Sequence, residues 1–418
     1  MAADDATEPT YTVTERSASR WGALAYSDFR WFWAHGLLQG IARNMREMLT
    51  FLLVYQLSGS ALQLGLTGLF QAVPSLIFGL IGGALADSVD RKKLLIYTQA
   101  ANVGSGALLA ALVLTNNAEV WHLWGFTSFW SAVSVLGRPA QRAYIPRLVP
   151  QSQVLNAITW HSSLSQGTLF AGPLAAGFLA ASLGIGWAYA ANSLVLAGAL
   201  LSVFAIRASG APEGPPRKVS ARTILEGIQF VRMQEVLLAA MVMDLGVMSV
   251  GFLRPILPIL ALDVYEVGEI GLGVLGAAPA IGAVTGSLML LMVGDFKRKG
   301  AVIVLAYASY ALAMVMLGLT PWIGLALVAL AVTGFMDVVA FTVKQALIQI
   351  VAPDQFRGRA ASLSSILSVT GNATGAMEMG TLVAAFGAPG ALLINSGLAL
   401  GMTGVITLRW MGLWRHES

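Results

Sequence analysis

The chain has 418 residues, of which 56% are hydrophobic and 11% charged, against about 25% charged in an ordinary globular domain. A water-soluble surface cannot be built from so few charges, so a soluble enzyme, a nucleic-acid-binding protein and a disordered scaffold are excluded and most of the chain must face lipid. Without cysteine there is no disulfide framework, thiolate metal site or cysteine nucleophile, and with a net charge of +4 the placement of the basic residues matters more than their sum.

The first 29 residues are polar and acidic with no apolar core, so no cleavable signal peptide is expected and the first apolar segment acts as the targeting signal. A bilayer-crossing helix takes roughly 20 apolar residues. Charge-free stretches of this size or more recur at 48–86, 94–118, 148–206, 301–336 and 379–408, the longer ones interrupted by turn residues such as Ser58-Gly59-Ser60 and Thr320-Pro321. The pattern predicts twelve spans, at 30–57, 62–86, 94–115, 120–141, 153–180, 184–206, 235–262, 270–294, 300–318, 322–348, 358–385 and 389–409.

Lysine and arginine set the orientation. All but four of the 25 fall in one set of connecting segments, and the opposite loops carry only Glu119, Asp263, Glu266 and Glu269. The positive-inside rule then places both termini and the central loop in the cytoplasm. Residues 208–220 form the one polar Pro/Gly-rich linker. Residues 221–234 follow as an amphipathic helix, either lying at the inner leaflet or offering a partner site. The expected organisation is a tail over 1–29, a six-helix bundle over 30–207, a linker with its helix over 208–234, a second bundle over 235–410 and a tail over 411–418.

The two bundles repeat one another. At an offset of 203, Pro150 meets Pro353, Gly172 meets Gly375 and Asn192-Ser193 meets Asn395-Ser396. Earlier in each half, Pro74 falls on Pro279 and Arg46 on Arg254. Parallel duplication of a six-helix unit is a recurrent transporter design, with the substrate site between the halves.

Span 2 ends in Gly83-Ala-Leu-Ala-Asp87-Ser-Val-Asp90-Arg91-Lys92-Lys93. This resembles the loop 2–3 signature of the major facilitator superfamily. Leu57–Ala61, Val73–Leu76, Arg138-Pro-Ala-x-x-Ala143 and Ile145-Pro-x-Leu-Val-Pro150 are similar to the bacterial branch that includes the enterobactin exporter and related effluxers. Gly167-x-x-x-x-Gly172-Pro173-x-x-x-Gly177 resembles the Gly-Pro motif of exporters, although close helix packing alone would also use these small residues. The chain departs from many proton-coupled relatives in having no arginine in the middle of span 4 and Leu169 where an arginine often precedes the Gly-Pro. The resemblance implies an all-α membrane protein of twelve transmembrane helices in two pseudo-symmetric six-helix bundles. It also implies gating by Gly83, Asp87, Asp90, Arg91, Gly172 and Pro173. Asp87 would meet the start of span 11; the alternative is a fixed topogenic loop.

The charges inside the spans are Arg43, Arg46, Glu47, Asp244, Arg254, Asp337, Lys344 and Glu378. Each must face an aqueous or paired environment. Seven lie on spans 1, 7 and 10, and by resemblance these spans line the central cavity. Arg43 and Glu47, four residues apart, share a face and can pair. Arg43, Arg46 and Arg254, with Trp130 as an aromatic wall, are the candidate substrate-binding residues, because guanidinium grips carboxylate and phosphate with two hydrogen bonds; a purely structural role in helix packing is the competing reading. Glu47, Asp244, Asp337 and Glu378 are the candidate proton carriers, and His161 is expected to be a packing residue. No Walker A sequence, His-Glu-x-x-His motif or paired catalytic carboxylate is present, so no cofactor, metal or catalytic residue is expected.

These observations together point to a secondary transporter of the bacterial inner membrane working by alternating access. Proton-coupled efflux of a small amphipathic or anionic compound is the leading reading. The alternatives are flipping of a lysophospholipid-like lipid and a non-transporting assembly factor that keeps the fold. The expected partners are the substrate, the bilayer and protons as coupling ion, with no nucleic acid, and the protein is expected to be a monomer.

Overall fold

A computed structural model describes residues 21–211, 221–294 and 297–410, without the side chains of 80–88, 165, 221–225 and 227. Most of the expected N-terminal tail, the middle of the linker, the C-terminal tail and the side chains of Gly83 and Asp87 therefore lie outside the described residues. All regular structure among the described residues is helical.

The first half consists of α1 (Ser27–Ser58), α2 (Ala61–Ser88), α3 (Arg91–Leu114), α4 (Val120–Tyr144), α5 (Val154–Leu183) and α6 (Ile185–Ala205). The amphipathic α7 (Ala221–Met233) precedes the second half. It lies against the helices that begin at Glu235 and Asp354, with Glu226 paired to Arg359 at 2.9 Å and Phe230 stacked on Phe356 at 4.6 Å.

The seventh span begins as α8 (Glu235–Gly251) and then breaks. A 3-10 turn at Arg254–Ile256, the single turn α9 (Leu257–Ile259) and a π-helical segment at Leu260–Val264 complete it. Pro255 and Pro258 cause the break, since neither has an N–H to give. The Gly251 carbonyl at the break accepts a hydrogen bond from the Tyr310 hydroxyl at 2.6 Å instead.

The chain continues through α10 (Gly268–Val293), α11 (Lys299–Leu319), α12 (Ile323–Val351) and α13 (Asp354–Arg409). The 56 residues of α13 make two crossings, because Gly387 at φ 73° takes a left-handed conformation that turns the chain back. Nine described helical segments are long and apolar enough to cross a membrane. Counting α13 twice and adding α1 and α4, the two more polar spans, gives the expected twelve.

Within the first half, α1 packs on α5 and α6, α2 on α4, and α3 on α4 and α6. Within the second, α8 packs on α13, α10 on α12, and α11 on α12 and α13. The halves meet along two seams, α2 against α13 and α5 against α10, which the internal repeat makes equivalent. Glycine lets the backbones touch at each seam. A Cβ on Gly177 would lie 2.4 Å from the Glu269 carbonyl oxygen, and one on Gly380 would lie 2.6 Å from that of Ala61. Both crossings sit at the end of the bundle away from the chain termini. There the Tyr55 hydroxyl also donates to Asp263, and Gln56 donates to Glu269 at 3.4 Å. The two halves are therefore closed against each other at that end.

Candidate functional site

A cavity of about 220 Å³ opens between α1, α2 and α4, with Leu169 of α5 and Arg254 of the seventh span completing its wall. Three stripes of residues at helical spacing face it. From α1 come Arg43, Arg46, Glu47 and Thr50; from α2 Thr67, Gln71 and Ser75; from α4 Thr127, Trp130, Ser131, Ser134 and Arg138. Four guanidiniums against one carboxylate leave the wall with a clear excess of positive charge.

Arg46 is held from several helices. Its guanidinium lies 4.0 Å from the centroid of the Trp130 ring, a cation–π contact strengthened by burial. Trp130 is fixed in turn by donating from Nε1 to Ser105 Oγ on α3 at 2.8 Å. Thr50 caps the arrangement: its hydroxyl donates to the Arg46 carbonyl at 2.8 Å and lies 3.2 Å from the Tyr189 hydroxyl of α6. Arg46 is only 6% exposed, yet its Nη1 has no hydrogen-bond partner among the described residues. No carboxylate stands within ion-pair distance of it among the described residues. A buried donor left so costs about 1–3 kcal/mol.

Arg254 belongs to the second half but reaches the same cavity, where it pairs with Glu47 Oε1 at 2.9 Å. The expected partner of Glu47 was Arg43, one turn away on its own helix. The break before Arg254 brings a guanidinium across the seam instead, and Arg43 is left on the cavity wall without an ion pair among the described residues. All four candidate substrate-binding residues (Arg43, Arg46, Arg254 and Trp130) thus line one space.

The candidate proton carriers are scattered. Glu47 is on the cavity wall. Asp244 is sealed in the second half: Lys344 Nζ contacts Oδ2 at 2.6 Å, the Ser368 hydroxyl donates to Oδ2 at 2.6 Å, and the Tyr307 hydroxyl donates to Oδ1 at 2.6 Å. Asp244 and Lys344 are 5% and 1% exposed. Asp337 on α12 is exposed on the face toward Arg254, Lys344 and Asp244, but does not line the cavity. Glu378 accepts from Asn395 Nδ2 at 2.9 Å, within α13 and away from the other three.

Of the candidate gating residues, Asp90 caps α3 by accepting from the Lys93 N–H at 3.0 Å. The Arg91 N–H donates to the Gly210 carbonyl at 2.8 Å, so this end of the signature ties down the start of the linker. Gly172 fits directly against Asn44 on α1, and Pro173 lies against Gly273 and Gly276 on α10. His161 packs beside Phe32, 5.5 Å between ring centres.

Sequence reasoning missed three features. Arg138 was counted with the topogenic charges, yet it reaches the cavity. The hydroxyl and amide stripes of α2 and α4 went unread; their signal is the spacing of Thr67, Gln71 and Ser75, and of Thr127, Ser131 and Ser134, along spans with few charges. Tyr307 and Ser368 could not be assigned to Asp244, because they come from helices far away in sequence.

Residues 18–415 match the family described as transmembrane secretion effector. The chain is similar to the enterobactin exporter EntS of Escherichia coli K12, with 28% identity over 371 residues, 87% of this chain and 86% of that protein. It is equally similar to the EntS of Shigella boydii serotype 18, with 28% identity over 365 residues and 85% of each chain. Two solved structures share the fold. A bacterial homologue of the human lysosomal transporter Spinster gives a TM-score of 0.71 at 14% identity, over 93% of this chain and 98% of that one. A POT family transporter in complex with 5-aminolevulinic acid gives 0.75 at 10% identity, over 93% and 97%. A multi-pass helical chain with two repeated halves, matched by this family over nearly its whole length, is a transporter and not an enzyme: it belongs to the transmembrane secretion effectors of the major facilitator superfamily.

Proposed function

We propose that this protein exports a small amphipathic anion across the bacterial inner membrane by alternating access, acting as a monomer with both termini in the cytoplasm. The observation that carries this reading is Arg46, a guanidinium on the cavity wall held on Trp130 and without an ion pair among the described residues. A cationic substrate would be repelled by four arginines, and a neutral one would leave their excess positive charge uncompensated. An anion gains charge-assisted hydrogen bonds there in a partly desolvated setting. The polar stripes of α2 and α4 offer further partners to its hydroxyl or carbonyl groups.

With the halves joined at the end away from the termini, the cavity faces the cytoplasm, the state in which an exporter loads. The carboxylates Glu47, Asp244, Asp337 and Glu378 couple the cycle to protons. Gly83, Asp87, Asp90, Arg91, Gly172 and Pro173 serve the movement of the halves. Enterobactin, the compound named for the relatives, is the first substrate to test. Purified protein should be stabilised against heat by enterobactin or by an aromatic sulfonate, and Arg46→Gln should lose the effect. Reconstituted protein should move the same compound, with a rate that responds to an imposed pH gradient. Stabilisation of Arg46→Gln equal to that of the parent would count against the anion site.

A further inference from the structure

The arginines near the end of α4 continue the basic wall of the cavity outward. Arg138 lines that wall, as does Arg43 of α1. Arg142 follows one helical turn after Arg138 and shares its face. Between them Gln141 donates from Nε2 to Gln39 Oε1 of α1 at 3.3 Å, so this side of α4 is turned toward α1. Arg43, Arg138 and Arg142 are all exposed, and Arg138 stands near both of the others. They make a ladder from the end of the bundle nearer the chain termini down to the buried Arg46.

Among the described residues no ion pair neutralises this ladder. The carboxylate near Arg138, Glu47, is already held by Arg254 at 2.9 Å. From α5 only His161 lies near Arg142. Two acids at the same end are engaged elsewhere: Asp28 accepts from the N–H groups of Arg207 and Ala208, and Asp90 caps α3. Topology asks for basic residues in a connecting segment, and the last turn of a helix favours a cation. Neither requires unpaired guanidiniums on the face that α4 turns to the cavity. The fold does not require them either, because the repeat at an offset of 203 places Phe341 and Gln345 at the positions of Arg138 and Arg142.

Like charges gathered along a cleft with low-dielectric walls focus the field and raise the local concentration of the opposite ion. We infer that Arg142 and Arg138 form an outer anion-binding station at the mouth of the cavity, where the oxyanion group of a substrate is caught before it passes Arg43 on the way to Arg46. This rests on the anion export proposed above. Arg142 lies outside the cavity proper, so it acts through its charge at a distance, whereas Arg46 acts at the wall itself. A charge at the rim sets the association rate and its salt dependence, and leaves dissociation largely to the inner contacts.

The probe is naphthalene-2-sulfonate, an amphipathic anion of fixed charge. Its arrival at the full-length protein in non-ionic detergent is timed by stopped-flow quenching of tryptophan fluorescence. Salt is set at about 20 mM and about 500 mM, where the Debye length is about 20 Å and about 4 Å. At low salt Arg142→Gln should slow association about threefold and Arg142→Glu about tenfold, with dissociation within about twofold of the parent. Arg142→Lys should keep the parent rate, because charge and not the planar fork acts at this range. At high salt all these rates should converge, which also shows that the variants are folded. Arg207→Gln removes the same charge from an exposed position outside the cavity and should leave the rate near that of the parent. Association by Arg142→Gln as fast as the parent at low salt, an equal slowing in Arg207→Gln, or a slowing that persists at high salt overturns the outer station and leaves the anion site standing. Absence of probe binding by the parent at both salt concentrations overturns the anion site and the station with it.

Discussion

Trp130 holds the Arg46 guanidinium 4.0 Å from its ring centroid and anchors its own indole N–H on Ser105 at 2.8 Å. Three helices, α3, α4 and α1, are thereby fixed around a single cation. Removing the ring while keeping the volume apolar, as in Trp130→Leu, should weaken anion binding by about 1–2 kcal/mol, roughly fivefold to thirtyfold. Trp130→Phe should keep much of the affinity. Titration with naphthalene-2-sulfonate checks both, and equal affinities in all three proteins would remove the ring from the site.

The Asp244–Lys344 pair makes a different prediction, because it is sealed within one half. Removing one partner of such a pair leaves an uncompensated buried charge and costs about 3–5 kcal/mol. Lys344→Met alone should lower the unfolding temperature sharply, and combining it with Asp244→Leu should recover most of the loss. Thermal unfolding in detergent reads this. Additive losses in the double variant would show that the two residues do not act as a pair.

Closure of the seams depends on the glycine crossings. Gly177→Val places side-chain atoms where the Glu269 carbonyl already lies, an overpacking that costs about 1–3 kcal/mol and disfavours the closed end. The chain has no cysteine of its own, so Tyr55→Cys with Asp263→Cys gives a clean crosslinking pair. A bismaleimide that spans the vacated ring should join the pair readily in the parent background and several-fold more slowly with Gly177→Val present. Equal crosslinking rates would mean that the glycine does not set the closure.

In the proposed cycle Asp87 meets the start of α13 when the end nearer the chain termini closes. Asp87→Asn should reduce flux in proteoliposomes several-fold while leaving expression and unfolding temperature near those of the parent. Full flux in the variant would return the signature to a topogenic role.

Much of the fold was legible because it is written in local features. Charge-free runs, turn residues and the one-sided distribution of Lys and Arg locate spans from a few neighbours each. Even the break in the seventh span follows from Pro255 and Pro258, although not its π-helical ending at Leu260–Val264. The site was legible by residue type but not by pairing. Arg43, Arg46, Arg254 and Trp130 do face one cavity, since a charge in a span has few places to go. Glu47 was matched to Arg43 by helical spacing, whereas the observed partner lies 207 positions away. Arg138 was masked by the charge bias at the end of its own helix, because the same residue type serves topology and cavity alike. The three partners of Asp244, each from another helix, lie too far away in sequence to be paired with it by spacing.

The most direct test of the anion site is flux through it. Parent and Arg46→Gln, reconstituted at equal protein content, would be compared for saturable movement of naphthalene-2-sulfonate out of loaded proteoliposomes. A hydrogen bond to a charged group is worth about 1.5–3 kcal/mol, so the apparent KM of Arg46→Gln should rise by about tenfold or more, with the protein still folded. Movement by Arg46→Gln with the KM and rate of the parent would contradict the account.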